Sequence, residues 1–176
     1  MDEEEKDIRE LKIGSSVKGR NTDVHAVLQQ IVKLERHIFP KHESLADAMD
    51  LELKKKNSGL LFAVACQSHE NVEREASLSV AGYVIYSFTS SLAASIVKLA
   101  VRQCYRKQGY GWSLMKAAIS KCRARSVCRV TLHVDPTREA AMGLYKKLGF
   151  QLDTVVHDYY APQRDAYRMF IDFEPS

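Results

Sequence analysis

The chain has 176 residues, 45% of them hydrophobic, and a formal net charge of +4. That supports one domain with a real core, and no apolar run approaches the length of a helical membrane span. The four cysteines, Cys66, Cys104, Cys122 and Cys128, show no CxxC spacing and no zinc-like grouping with histidine, so reduced structural thiols and no metal are expected. The start, "MDEEEKD", is acidic and lacks both the apolar core of a signal peptide and the Arg/Ser-rich look of a transit peptide. The expected location is the cytoplasm, with the nucleus left open.

Ile8–Gly14 ("IRELKIG") reads as a first strand. A helix follows in "NTDVHAVLQQIVKLERHIF", with Val24, Val27, Leu28, Ile31 and Leu34 at helical spacing and Asn21 or Thr22 able to cap it. "FPK" (Phe39–Lys41) ends that helix, because proline disfavours helical geometry in the residue before it. A second helix is predicted from Ser44, "SLADAMDLELKKK", stopping before Asn57. Leu60–Cys66 and Ser77–Phe88 read as strands around a polar hairpin loop, "QSHENVEREA". Ser95–Val101 is the next strand. A glycine turn leads into a helix from about Gly109 to Arg125, with Leu114, Met115, Ala118, Ile119 and Cys122 on one side. Arg129–Val134 is a strand and "TREAAMGLYKKLG" a helix ended by Gly149. "FQLDTVV" and "DAYRMFIDF" close the chain as strands around a loop, "HDYYAPQR".

The order β-α-α-β-β-β-α-β-α-β-β predicts an α/β (α+β) fold: one mixed seven-stranded sheet flanked by about four helices. It is expected to span residues 1–176 as a single domain, with 1–7 a disordered acidic start. Three consecutive strands set it apart from a regular Rossmann alternation.

Charge is unevenly spread. From Lys98 to Arg129 there are nine Lys/Arg and no Asp or Glu. This is either a solvated basic face or an anion site. Inside that stretch "YRKQGYGWSLM" places Gly109 and Gly111 after Arg106 and Lys107 and before a helix. The start of a helix has unpaired N–H groups that bind phosphate. No GK[ST] follows, and Leu114 stands where a dinucleotide GxGxxG needs its last glycine. An ordinary strand–helix turn and a phosphate cradle both remain open on these residues.

"VRQCYRKQGYGWSLM" resembles the acyl-CoA pyrophosphate loop, [R/Q]xxGx[G/A], of the GNAT superfamily of N-acyltransferases, through Arg106, Gly109 and Gly111. "TLHVDPTREAAMGLYKKLGF" resembles the strand–helix segment of the same superfamily that ends in LYxKxGF. The resemblance covers roughly residues 22 to 173. Within the superfamily it points to the protein N-terminal (N-alpha) acetyltransferases, through "IFP" (Ile38–Pro40), "LHV" (Leu132–Val134) and "DYY" (Asp158–Tyr160). Arg138 departs from the pattern, standing where the helix usually starts with Asn.

The resemblance implies acetyl-CoA as co-substrate and direct transfer to a primary amine. It implies a cofactor-binding set of Leu99, Ala100, Val101, Arg106, Lys107, Gln108, Gly109, Tyr110, Gly111 and Arg138. The strand Ser95–Val101 would hydrogen-bond the pantetheine arm through its backbone, with an N–H near Leu99 or Ala100 polarising the thioester carbonyl. Tyr145 would protonate the departing thiolate; its competing reading is core packing with Ala141, Leu144 and Leu148. His133 would act as base, directly or through water; alternation puts it on the face opposite Leu132 and Val134. A tyrosine that shares this work in certain members corresponds here to Ser95. Phe39, Pro40, Tyr159 and Tyr160 would meet the acceptor. The other histidines, His25, His37, His42, His69 and His157, read as surface or loop residues.

The expected acceptor is a peptide or protein N-terminus. An α-amine of pKa about 7.7–8.0 is neutral near pH 7 far more often than a lysine of about 10.4. A small amine (arylalkylamine or polyamine) or a protein lysine is the alternative. Non-enzyme alternatives are a CoA-binding scaffold and a nucleic-acid binder, the latter lacking an RNP-type aromatic pattern. The residues name no partner subunit.

Overall fold

The computed structural model describes residues 6–11, 24–65 and 78–174. The capping residues Asn21 and Thr22, the end of the first strand, Cys66, His69 and the polar hairpin loop lie outside the described residues. Within them the order is β1 (Ile8–Leu11), α1 (Val24–Ile38), α2 (Met49–Lys54), β2 (Ser58–Val64), β3 (Val80–Phe88) and β4 (Ala93–Val101). Then come a 3-10 turn (Gln103–Tyr105), α3 (Tyr110–Arg123), β5 (Arg129–Val134), α4 (Glu139–Lys147), β6 (Gln151–Ala161) and β7 (Arg164–Asp172). The expected element order and mixed seven-stranded sheet are present, with spatial order β1-β2-β3-β4-β5-β7-β6. Asp7 is already tied to the sheet, its carbonyl accepting from Val64 N–H at 2.9 Å.

Burial on both faces explains the continuous apolar run of β2. Leu60 and Phe62 pack with Val27, Ile31 and Leu34 of α1, while Leu61 and Ala63 join Leu114, Met115 and Ala118 of α3. Two elements differ from the sequence reading. α2 begins at Met49 rather than Ser44, because residues 41–48 are taken up by turns; Glu43 and Ser44 N–H both bond Pro40 O at 2.9 Å. β6 runs on through His157–Ala161, where the sequence pattern predicts a loop.

The sheet opens in its middle. β4 pairs with β5 in parallel only from Ala93↔Arg129 to Ile96↔Leu132. Beyond Ile96, β4 follows β3 instead, through a bulge that leaves Val97 as the extra residue, since Ile85 faces Lys98 and Tyr86 faces Ile96. Gly82 lets the two strands approach there; a Cβ on it would lie 2.5 Å from Ala100 O. The β4 edge and the end of β5 thus splay apart and leave backbone groups of β4 without a strand partner.

Candidate active site

The splay opens a cleft of about 1950 Å³. That is larger than a site for one drug-sized ligand, and it leaves room for two substrates. Its lining runs from the α3 N-terminus (Arg106–Gly109, Gly111–Ser113), past the β4 edge (Ser95–Val101), to Phe39, His133, Tyr145, Tyr159 and Tyr160.

At one end, Gly109 is the N-cap of α3 with φ +85°, preceded by Lys107 at φ +60°. The first intrahelical bond of that turn is Ser113 N–H to Gly109 O at 3.0 Å. The N–H groups of Gly111 and Trp112 precede it, as helix geometry requires, and no acidic residue occupies the first turn. One further donor here is buried without a hydrogen-bond partner among the described residues: the indole N–H of Trp112. Such an orphan is expected where a polar ligand completes it. Arg106 Nε bonds Val101 O at 3.1 Å, tying the turn to the strand.

The ladder sorts the backbone of β4. Arg102 N–H bonds Ala81 O at 2.8 Å, and alternation along an antiparallel strand then turns Ala100 toward β3 and Leu99 and Val101 toward the cleft. The candidate carbonyl-polarising N–H is therefore that of Leu99, and Ala100 drops out of that role. Two other expected cofactor contacts are repositioned. Tyr110 is buried, packed edge-to-face on Tyr105 at 5.7 Å, and does not line the cleft. Arg138 lines it, but its guanidinium is held by Glu43 at 2.7 Å rather than at the α3 turn.

At the other end, β5 presents His133 opposite buried Leu132 and Val134, as alternation predicts. Its ring stacks on Tyr159 at 4.6 Å with 7° between planes, and Tyr159 meets Tyr160 edge-on at 4.8 Å. The tyrosines reach this position because β6 carries a bulge between Val156 and Ala161, with Asp158 at φ +53°. Asp165 pins the bulge by accepting from Asp158 N–H at 3.0 Å. Partial burial, with Arg168 opposite, lowers the His133 pKa, which favours the neutral imidazole. Burial lifts the phenol of Tyr160 to about 12, and that of Tyr145 further. Tyr145 itself is 7% exposed and packs on Phe150, so core packing and cleft lining are both true of it. Phe39 lines the cleft as expected; Pro40 is exposed and organises the turn through its carbonyl instead.

An ion network that sequence reasoning missed backs this end. Lys98 Nζ lies 3.7 Å from Glu35, which is fully buried and accepts Leu45 N–H at 2.7 Å. Burial raises the Glu35 pKa and lowers that of Lys98. Arg164 bridges Glu43 at 2.8 Å and Asp135 at 2.7 Å. These acids answer part of the basic run, and Glu10 and Asp172 answer Lys121 and Arg129 at 3.0 and 2.6 Å. Three of the nine cations of the run, Lys98, Lys121 and Arg129, are thus answered by acids. Among cysteines, Cys122 is buried and its thiol is pushed up to about 11, while Cys104 is exposed; neither they nor Cys128 line the cleft. Among the described residues no cluster of three or more His, Cys, Asp or Glu could hold a metal ion, and no helix is long and apolar enough to cross a membrane.

Asp135 supplies a test of this network. Burial raises its pKa, but bonds from Arg164 and from Thr137 outweigh that and hold it at about 2. The unfolded value is about 3.9, so the stabilisation, about 2 kcal/mol after discounting for solvent screening, is full only above about pH 5 and is lost as pH falls toward 2. Urea midpoints measured from pH 6 to 2 should drop less steeply for Asp135→Asn than for the wild type. Parallel curves would detach Asp135 from acid unfolding.

A splayed mixed sheet with a glycine-started helix beside the exposed strand edge leaves one large cleft with a helix N-terminus at its end. The sequence matches the Acetyltransferase (GNAT) family over residues 28–150, and the chain belongs to that family. It is 37% identical over 75 residues to an N-alpha-acetyltransferase of Sulfurisphaera tokodaii, covering 42% of this chain and 45% of the relative. It is 33% identical over 101 residues to an N-terminal acetyltransferase complex ARD1 subunit homolog of Dictyostelium discoideum, covering 55% and 50%. The chain spans about half the length of the curated relatives it matches. Arabidopsis thaliana NAA60 in complex with a bisubstrate analogue shares the fold, with a TM-score of 0.75 at 18% identity over 97% of this chain and 99% of that one.

Proposed function

We propose that the protein is an acetyl-CoA-dependent N-acetyltransferase whose acceptor is a peptide or protein N-terminus. The observation that carries this is the cleft itself. It joins first-turn amides of α3, the open backbone edge of β4 and the His133–Tyr159–Tyr160 cluster in one channel. The residues fit the co-substrate. The amides of Gly111 and Trp112, with Arg106 and Lys107 beside them, suit a pyrophosphate. Leu99 and Val101 offer paired amide groups to an arm that carries two amides. The N–H of Leu99 suits a carbonyl on which negative charge develops. His133, biased toward its neutral form by burial, accepts a proton from the amine, and Tyr145 hydrogen-bonds the departing sulfur.

The choice of acceptor rests on two supports. Tyr159 and Tyr160 line the same cleft as Phe39 with hydroxyl-bearing rings, to which an extended peptide offers backbone partners and a small amine offers none. The matched relatives include proteins named N-alpha- and N-terminal acetyltransferases. Turnover should be compared among a free-N-terminus peptide, a blocked peptide with an internal lysine, and an arylalkylamine. Tyr159→Ala and Tyr160→Ala should raise the Michaelis constant for the free-N-terminus peptide about tenfold with acetyl-CoA affinity little changed. If the arylalkylamine is the best substrate and neither tyrosine matters to it, the peptide reading fails.

A further inference from the structure

Glu43 stands where the elements around the acceptor end of the cleft meet. Its side chain is 4% exposed. One carboxylate oxygen accepts from Arg138, the N-cap of α4, at 2.7 Å; the other accepts from Arg164, at the start of β7, at 2.8 Å. Its backbone carbonyl accepts from Lys98 of β4 at 2.6 Å. Arg164 carries the chain of contacts on to Asp135, just after β5, at 2.7 Å. The same cations hold the aromatic walls. Arg138 and Arg164 lie over Tyr160 at 5.8 and 5.3 Å, and Lys98 lies over Phe39 at 4.0 Å. The turn 39–45 is held internally by Pro40 O and against α1 by Glu35, and the Glu43 bonds tie its wall to α4 and β7.

A buried ion cluster is weak evidence for stability, because desolvation offsets much of the attraction, but it does fix geometry. Each arm of this one leads to a different element: the joined turn and α4 bear Phe39 and Tyr145, and β7 pairs with β6, which bears Tyr160. We infer that Glu43 is a positioning residue for the acceptor: its two-armed carboxylate locks the 39–45 wall to α4 and β7 and holds the acceptor mouth at working width. This rests on the acetyltransferase reading. The arms do not reach the α3 turn, so acetyl-CoA should bind normally without them.

Glu43→Gln keeps the shape and removes the charge. The expected result is a rise of about tenfold in the Michaelis constant for a free-N-terminus peptide, with the acetyl-CoA dissociation constant by calorimetry within about twofold of wild type. Arg164→Lys keeps the charge but loses the fork that reaches two acids, and should shift the same constant in the same direction. The two changes combined should be less than additive, since they break one contact. A folded Glu43→Gln with a wild-type peptide constant overturns the proposal, and so does an acetyl-CoA constant that weakens in parallel. Should Glu43→Gln fail to fold, Arg164→Lys decides by the same criteria. A wild type that acetylates none of the amines overturns the underlying reading, and this proposal with it. An active wild type with unresponsive variants overturns the positioning role alone.

Discussion

Tyr145→Phe is expected to lower turnover about 10²-fold while acetyl-CoA affinity stays nearly intact. General acid–base groups contribute about 10²–10⁴-fold, and the structure argues for the lower end. The ring is buried against Phe150, so phenylalanine keeps the packing and removes only the hydroxyl. Burial drives the phenol well above its ordinary pKa of about 10. A thiol near 8.5 is then the stronger acid, and a full proton transfer from Tyr145 to the sulfur runs uphill. The hydroxyl therefore helps chiefly as a hydrogen-bond donor to the leaving sulfur, and the proton that ends there comes from the amine. This predicts a rate that does not fall as pH approaches 10, where an ordinary phenol would ionise. Single-turnover rates of wild type and Tyr145→Phe across pH 6–10 test both points. A phenylalanine variant with wild-type single-turnover rates would leave Tyr145 as a packing residue.

Local pattern carried most of the fold into the sequence. The alternation in "RVTLHV" reports which way His133 faces, and the burial of Val130, Leu132 and Val134 repeats it. The apolar stripe of α3 and the glycines that begin it are likewise local features. Other parts of the site are set by contacts distant in the chain. Nothing near Glu43 announces that Arg138 and Arg164 will converge on it, because the three meet only after β7 has paired with β5. Ala100 could not be told from Leu99 without the register to β3, which decides whose N–H is spent on the ladder. The pattern of "HDYYAPQR" predicts a loop, whereas β6 continues through Tyr159 and Tyr160 by means of a bulge between Val156 and Ala161.

The α3 turn yields the second large effect. Gly109→Ala is expected to weaken acetyl-CoA binding about 10²-fold with a modest loss of stability. At φ +85° an alanine is strained, yet a Cβ built there meets nothing within 4 Å. Loss of affinity therefore cannot come from a clash inside the protein. It must come from the backbone angle or from a ligand that approaches the glycine. Hydrogen bonds to charged groups contribute roughly 1.5–3 kcal/mol each, so misaiming one or two first-turn amides accounts for the factor. Gly109→Asn separates the causes, because asparagine tolerates the left-handed region better than alanine. If only the angle matters, Asn should restore most of the affinity; if phosphate lies against the Cα, Asn and Ala should weaken binding alike. Gly111→Val is the less selective probe, since a Cβ there already lies 3.3 Å from Leu144 Cδ2 and would disturb the contact between α3 and α4. Calorimetry with acetyl-CoA on folded variants, alongside their urea midpoints, gives the comparison. Wild-type affinity in both Gly109 variants would remove the phosphate site from this turn.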